Sequence, residues 1–248
     1  MQRSFALVST FALAAALVLG SRPLPARAGG DFDLPIGGSI DTGEDPATPS
    51  EEGQRSPKFY DEDIPTTTDS VIYVLDRSGS MDLPVRPFTG LDGQPVTNGS
   101  RLDYVKTEMV RSVASLPAAF TFNMIVFSEC VEAWKPERVA ATPDQKAAAV
   151  AWIQAIEATG WTNTGGATSR ALADRGNRTI MLLSDGEPNF LDCAETYVGD
   201  YDTHRRVIRE ANGQRAAVHC FGIALDDQTR SFMQSVASDN EGSFKELD

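Results

Sequence analysis

Five successive apolar residues, at positions 71–75 in the stretch SVIYVLD, constrain the fold more than any other feature of the sequence. A strand with one face in water alternates apolar and polar residues, whereas an unbroken apolar run is typical of a strand covered on both faces. Similar runs recur in FTFNMIVF at 120–127, TIMLLS at 179–184 and AVHCFGIAL at 217–225. The chain is therefore expected to contain several buried strands.

Segments with helical spacing separate these strands. The first helix is predicted from apolar residues that recur at three- and four-residue intervals, namely Leu102, Val105, Met109, Val113 and Leu116. A second is expected between an N-cap at Thr142 and a stop at Gly160, and further helices at 202–213 and 226–242. VEAWKP at 131–136 is interpreted as a short edge strand after a tight reversal. Strands that alternate with helices predict an α/β fold with a mostly parallel sheet.

The α/β pattern covers residues 70–248. Residues 29–69 are acidic and rich in Gly, Pro, Ser and Thr, so we interpret them as a flexible linker, with Phe59 and Tyr60 as contact points on the domain. Residues 1–28 combine an apolar stretch with a terminal Ala-Arg-Ala, as in a signal peptide and its cleavage site. No second long apolar run follows, so we expect an exported protein, periplasmic or extracellular, without stable membrane insertion.

The net charge excludes some classes of partner. Residues 1–28 carry three arginines and no acid, so their removal would change the formal charge from −13 to −16. A surface this acidic repels nucleic acids and anionic membranes. Neither is therefore expected as a partner, and the charge itself keeps an exported protein soluble.

Three cysteines, Cys130, Cys193 and Cys220, leave more than one arrangement open. In an oxidising compartment one pair can form a disulfide, for which we favour Cys193 with Cys220. The alternative is three buried thiols. Neither the cysteines nor the two histidines have the spacing of zinc ligands, so no thiolate or imidazole metal site is predicted.

Oxygen-bearing side chains follow two of the predicted strands. Asp76, Ser78 and Ser80 come directly after the first strand, Asp185 follows TIMLLS, and Thr162 lies in an intervening loop. In sheets of this kind ligands bind outside the carboxyl ends of the strands. Two carboxylates with several hydroxyls are hard ligands that suit Mg²⁺, so the sequence predicts a divalent cation site at this edge.

These residues resemble the metal-ion-dependent adhesion site of the von Willebrand factor A domain family, in its order and over residues 70–247. The resemblance implies a six-stranded, mostly parallel, doubly wound sheet in three layers, with one short antiparallel edge strand. It also implies that Ser78, Ser80 and Thr162 bind Mg²⁺ or Mn²⁺, rather than Ca²⁺, directly, with Asp76 and Asp185 binding directly or through water. A carboxylate of a protein ligand then completes the coordination. Secreted bacterial single-domain members look most similar.

Several features depart from the family pattern. Trp161 stands where glycine is common, so it either contacts a partner or packs on its loop. Glu187 either supports the site or is a solvated loop acid. Residues 81–100 form an insertion next to the site, which either sets partner specificity or is a tolerated excursion. The chain ends where the family generally continues into a last helix, so one sheet face is expected to need cover from the linker, another copy or another protein.

The predicted function is therefore a secreted, non-enzymatic module that binds an acidic side chain of a protein partner through a divalent cation. One alternative is a Mg²⁺-dependent hydrolase with Asp76 as the nucleophile. That chemistry usually has a second acid two positions later, where this chain has Ser78. The other alternative is a structural protein whose site binds no metal.

Overall fold

The structure is a computed structural model that describes residues 58–60, 62–194, 197 and 199–247. The predicted signal peptide and residues 29–57 of the predicted linker lie outside the described residues. The strands are β1 Lys58–Phe59, β2 Glu62–Asp63, β3 Ser70–Asp76, β4 Phe88–Thr89, β5 Pro95–Val96, β6 Thr121–Phe127, β7 Val131–Ala133, β8 Val139–Ala140, β9 Thr179–Ser184, β10 Ala217–Ile223 and β11 Phe244–Leu247. The helices are α1 Arg101–Ser115, α2 Pro143–Gln154, α3 Thr164–Leu172, α4 Tyr201–Ala211 and α5 Asp227–Asp239.

The central sheet has the strand order β11-β10-β9-β3-β6-β7, and all of its neighbours are parallel except β6 and β7. The expected mostly parallel sheet with a short antiparallel edge strand is confirmed. A seventh strand, β8, also pairs antiparallel with β6. It has two residues, too few for a hydrophobic pattern to reveal it.

Helices cover both faces of the sheet, as the unbroken apolar runs predict. Along β3, Val71, Tyr73 and Leu75 face the core beneath α1 and α2, whereas Ile72 and Val74 face the core beneath α3, α4 and α5. All five side chains are buried. The result is the predicted three-layer α/β architecture, in which the central strand has no face in water.

The helix starts follow from capping residues. Ser100 and Asp103 form a reciprocal capping box at the start of α1, with a 3.1 Å bond from the Asp103 N–H to Ser100 Oγ. Thr142 caps α2 as predicted, but α2 ends at Gln154, earlier than Gly160. The segment after α2 instead returns to the end of β3, where the Thr159 N–H donates to the Arg77 carbonyl at 2.7 Å. Tertiary contacts with β3 therefore end the helix early.

The last part of the predicted linker packs against the domain. β1 and β2 form a short antiparallel hairpin, and Phe59, Tyr60 and Ile64 are buried around it. The Phe59 ring lies 4.8 Å from Phe221 of β10 and 5.8 Å from Tyr73 of β3. We call residues 58–60 and 62–64 the covering hairpin, because they cover the sheet on the α1 side. Among the described residues no helix has the length and apolar character needed to cross a membrane.

Candidate metal centre

The two acidic strand ends are neighbours in the sheet. β3 pairs in parallel with β9, with Leu75 opposite Leu183, so the residues that follow them leave the sheet side by side. Asp76 is fully buried and Asp185 is 7% exposed. The structure therefore brings together the two acids that the sequence separates by more than a hundred positions.

The Asp-x-Ser-x-Ser loop turns tightly around its own carboxylate. The Ser78 N–H donates to Asp76 Oδ1 at 2.7 Å, and the hydroxyls of Ser78 and Ser80 lie 3.1 Å apart. The Gly79 N–H donates to the Gly160 carbonyl at 3.0 Å. Gly160 has a φ of 69°, and a Cβ there would overlap the Glu129 carboxylate. The early end of α2 thus supports the loop that carries two of the predicted ligands.

Asp76 is a buried carboxylate with few compensating donors. Its Oδ2 accepts a 2.5 Å hydrogen bond from the Ser184 hydroxyl. Burial, and next the negative charge of Asp185, raise the pKa of Asp76 to about 7. Two carboxylates held together under little solvent form a centre that a cation would neutralise.

Asp185 is held on both of its oxygens. Ser80 Oγ donates to Oδ1 at 2.9 Å, and Arg101 Nη1 lies 2.5 Å from Oδ2. Sequence reasoning did not identify Arg101. The available signal was its position, since the first helix after a strand in this fold begins at the carboxyl edge of the sheet.

Thr162 places a hydroxyl opposite these acids. The residue is 4% exposed. A Cβ added to Gly186 would lie 3.2 Å from Thr162 Oγ1 and 3.3 Å from Asp76 Oδ2. Glycine at position 186 thus leaves a small gap between two oxygens of the predicted ligand set.

The other predicted contact residues line the same pocket. It has a volume of about 430 Å³, and its lining includes Ser78, Ser80, Trp161, Thr162, Asp185, Glu187 and Asp226. Trp161 is 55% exposed. Its backbone N–H donates to Glu129 Oε2 at 2.8 Å, and the centre of its ring lies 5.7 Å from that of Phe190. Trp161 therefore both packs on its loop and faces solvent at the pocket. Glu187 is exposed.

The donor set fits a hard divalent cation. Within the described ranges there is no group of three or more His, Cys, Asp or Glu side chains placed to hold a metal ion. The site offers two carboxylates and three hydroxyls instead, from Asp76 and Asp185 and from Ser78, Ser80 and Thr162. An oxygen set with few charges suits Mg²⁺ or Mn²⁺, which commonly keep some ligands as water.

The helix that follows Thr162, α3, is capped by an asparagine. Asn163 is the N-cap of α3, and its side chain accepts from the Gly166 N–H at 2.8 Å. Thr164 is the first helical residue and is buried, with no hydrogen-bond partner for its hydroxyl among the described residues. The asparagine, one position earlier, meets the geometric requirement for a cap better than the threonine does.

The predicted disulfide between Cys193 and Cys220 is wrong. The structure joins Cys193 to Cys130, with their Cα atoms 4.5 Å apart. Cys220 is a free, buried thiol in the middle of β10, within the core beneath α3, α4 and α5. Cys130 and Cys193 instead lie in loops next to the metal centre, so the disulfide fixes the loop after β9 to the turn after β6.

The insertion at 81–100 extends away from the pocket. Its strands β4 and β5 form a hairpin that lies on α1, with the Phe88 ring 5.0 Å from Tyr104. Arg111 Nη2 donates to the carbonyls of Thr89 and Gly90 at 2.7 and 2.8 Å. Arg111 is about 15 Å along the helix axis from the start of α1. The tip of the insertion is therefore remote from the centre that it was expected to border.

The comparisons with known proteins identify the family of the domain. The von Willebrand factor type A domain family matches residues 70–248, which is most of the chain. The chain belongs to this family. Domains of the von Willebrand factor type A family are commonly protein-interaction or adhesion modules and are generally not enzymes.

Two curated relatives are inter-alpha-trypsin inhibitor heavy chains. The chain is 29% identical to heavy chain 4 of Mus musculus over 204 residues, which are 77% of this chain and 19% of that protein. It is 27% identical to heavy chain H4 of Homo sapiens over 198 residues, 74% of this chain and 19% of that protein. The chain thus spans about a fifth of the length of these relatives.

Solved structures share the fold at low identity. The von Willebrand factor type A protein from Catenulispora acidiphila superposes with a TM-score of 0.54 at 18% identity, over 72% of this chain and 38% of that chain. The pilus adhesin SpaC from Lactobacillus rhamnosus GG gives a TM-score of 0.54 at 17% identity, over 72% and 28%. These likenesses support the type A architecture.

Proposed function

We propose that this von Willebrand factor type A domain binds a protein partner through a divalent cation, Mg²⁺ or Mn²⁺. The observation that carries the proposal is the convergence of Ser78, Ser80, Thr162 and Asp185 on one pocket. Hydroxyls and a carboxylate that meet at one place form an oxygen donor set of the kind that Mg²⁺ prefers.

The residues of the chain have distinct roles in this proposal. The hydroxyls of Ser78, Ser80 and Thr162 bind the cation directly, and Asp76 and Asp185 bind it directly or through water. Arg101 holds the Asp185 carboxylate in place. When bound, the cation supplies a positive charge and a coordination position that accepts a carboxylate oxygen of the partner.

The position of Asp76 supports binding over catalysis. Its carboxylate is fully buried and is held by the Ser184 hydroxyl and the Ser78 N–H, so it is poorly placed to attack a substrate. The described residues that line the pocket include no His, Cys or Lys. A set of nucleophile, base and orienting acid is the usual requirement for hydrolysis.

The disulfide and the pattern of residues 1–28 support an exported protein, periplasmic or extracellular. The acidic composition supports protein partners rather than nucleic acid or anionic membranes.

Metal titration with matched threonine variants tests the cation site. Thr162→Val removes the hydroxyl without changing the side-chain shape, and we expect Mn²⁺ affinity measured by calorimetry to fall at least about tenfold. Thr168→Val is the control, because Thr168 is also a buried threonine but does not line the pocket. No binding by the wild type at millimolar metal, or equal binding by both variants, would contradict the proposed site.

Retention of envelope proteins on the immobilised domain tests the partner. We expect retention in Mg²⁺, release by EDTA and no retention by Asp76→Ala, whose fold is checked by circular dichroism. Retention that is indifferent to both changes would argue against a cation-mediated contact.

A further inference from the structure

The pocket has a second wall that the cation site does not use. Glu187 and Asp226 line it together with the exposed indole of Trp161. Both acids are exposed, and the described residues that line the pocket include no Lys, Arg or His. The nearby Arg101 is already paired with Asp185. The positive charge of Arg230, which acts on Asp226, is paired with Asp227 and Glu246. The lining of the second wall therefore presents negative charge and an aromatic face.

Glu187 and Asp226 both contribute negative charge to the same part of the pocket. The Asp226 side chain caps α5 by accepting from the Thr229 N–H at 2.8 Å, and this bond holds the pKa of Asp226 below its usual range. Burial, followed by weaker effects that include the charges of Glu187 and Asp226, raises the pKa of Tyr201. The wall is thus a region of negative potential beside the metal centre.

Charge balance decides which side chain fits there. Asp76 and Asp185 are offset by Arg101 and a divalent cation, which leaves one positive charge for the carboxylate of a partner. A second carboxylate on the partner would then meet Glu187 and Asp226 and be repelled. A Lys or Arg side chain would be attracted by both acids and by the face of an indole.

Two observations besides the charges mark this pocket as a binding place. Ser78 and Thr162, which are 2% and 4% exposed, contribute polar side chains to its lining, and Trp161 is 55% exposed. Exposed tryptophan beside a pocket is typical of the centre of a protein interface. The volume of about 430 Å³ is in the range of ligand pockets.

We infer that the pocket takes a short segment of a protein partner in which an acidic and a basic side chain lie close together. The acidic side chain binds the cation, and the basic side chain lies among Glu187, Asp226 and Trp161. This inference rests on the proposed function, because it needs the cation to hold the acidic group.

Selection from a phage-displayed library of short random peptides tests the inference. Peptides are selected on the wild-type domain in Mg²⁺, eluted with EDTA and sequenced. We expect enrichment of Asp or Glu together with Lys or Arg within a few positions. The same selection on Glu187→Gln/Asp226→Asn, in which the asparagine retains the cap of α5, should keep the acidic preference and lose the basic one. Glu137→Gln, which neutralises an exposed acid lining a different pocket, is the control.

A thermodynamic cycle on one selected peptide gives the magnitude. Replacing its basic residue with Gln should weaken binding to the wild type about fivefold and binding to the double variant less than twofold, as for a partly solvated ion pair. Trp161→Ala should weaken the peptide with its basic residue more than the Gln form, because the indole contacts the cationic group.

The outcomes separate this inference from the proposed function. EDTA-eluted peptides that are acidic but carry no basic preference would overturn the inference and leave the function intact. A basic preference that persists in the double variant would also overturn it. A wild-type domain that yields no EDTA-eluted peptides would contradict the proposed function, and the inference with it.

Discussion

The covering hairpin and the metal centre are both buried, but for opposite physical reasons. The covering hairpin is buried through Phe59, Tyr60 and Ile64, which have little polar surface to desolvate. The metal centre is buried with two carboxylates, and Arg101 is the cation that pairs with Asp185. Burial of apolar surface stabilises a fold, whereas burial of charge costs free energy unless it is compensated. We therefore expect the covering hairpin to stabilise the fold, and the metal centre to lower its stability in return for binding a cation.

The largest expected effect is at the covering hairpin. Phe59→Ala removes a ring that packs on Tyr73 and Phe221, so the free energy of unfolding measured in urea should fall by about 4 kcal/mol. Phe88→Ala is the control, because Phe88 is half-buried on α1 and should cost about 1 kcal/mol. Mg²⁺ affinity should not change in either variant. A loss no larger than that of Phe88→Ala would show that the covering hairpin is not part of the core.

The disulfide next to the metal centre should have the second largest effect. Cys130→Ser/Cys193→Ser opens a crosslink between positions 63 apart, and the free energy of unfolding should fall by about 3 kcal/mol. Dithiothreitol should lower the stability of the wild type to the same extent and leave the double variant unchanged. Equal stability of the two proteins without reductant would contradict the Cys130–Cys193 pairing.

Arg101→Gln tests whether Arg101 compensates the buried negative charge of Asp185 in the metal centre. The change leaves Asp185 buried without its ion pair, so in EDTA the free energy of unfolding should fall by about 2 kcal/mol. Mg²⁺ should restore more stability to this variant than it adds to the wild type, because the cation replaces the missing charge. Arg101→Lys, which keeps the charge, should lose less than Arg101→Gln. Full stability of Arg101→Gln in EDTA would show that the ion pair is unimportant.

The same contrast explains what the sequence could predict. The mostly parallel sheet follows from apolar runs that alternate with helical patterns, and each run ends at a polar residue that marks the carboxyl edge. Asp76 and Asp185 could be placed at one edge for that reason. Contacts of Phe59 and Tyr60 with the domain were expected, and both residues are buried. The hairpin that carries them was not predicted, because two-residue strands have no period and the segment is otherwise polar.

The sequence also did not predict contacts that depend on the paths of loops. Arg101 reaches Asp185 because the insertion returns the chain to the edge of the sheet, with the Arg101 N–H donating to the Leu83 carbonyl at 2.9 Å. Cys130 meets Cys193 because two loops converge there, and no spacing in the sequence encodes that meeting. Local patterns therefore fix the strand ends, while contacts between loops depend on the complete fold.

The smallest expected effect is a gain in stability rather than a loss. It tests the contrast between the covering hairpin and the metal centre most sharply. Asp76→Asn removes a buried charge without changing its shape, and the amide can still accept from the Ser78 N–H and donate to Ser184 Oγ. In EDTA the free energy of unfolding should therefore rise, by about 1 kcal/mol. Thermal unfolding with and without Mg²⁺ measures the change together with its functional cost. Mg²⁺ at ten times its dissociation constant should stabilise the wild type by about 1.4 kcal/mol and Asp76→Asn hardly at all.

Asp174→Asn is the matched control for the gain in stability expected of Asp76→Asn. Asp174 forms an ion pair with Arg138 at 2.7 Å, outside the metal centre and partly in solvent. Its neutralisation should lower stability by less than about 1 kcal/mol and leave the response to Mg²⁺ intact. If Asp76→Asn instead destabilises the metal-free protein as Phe59→Ala does, Asp76 is a structural element of the core. A gain in EDTA together with a lost response to Mg²⁺ would mean that Asp76 is retained for the cation at the expense of the fold.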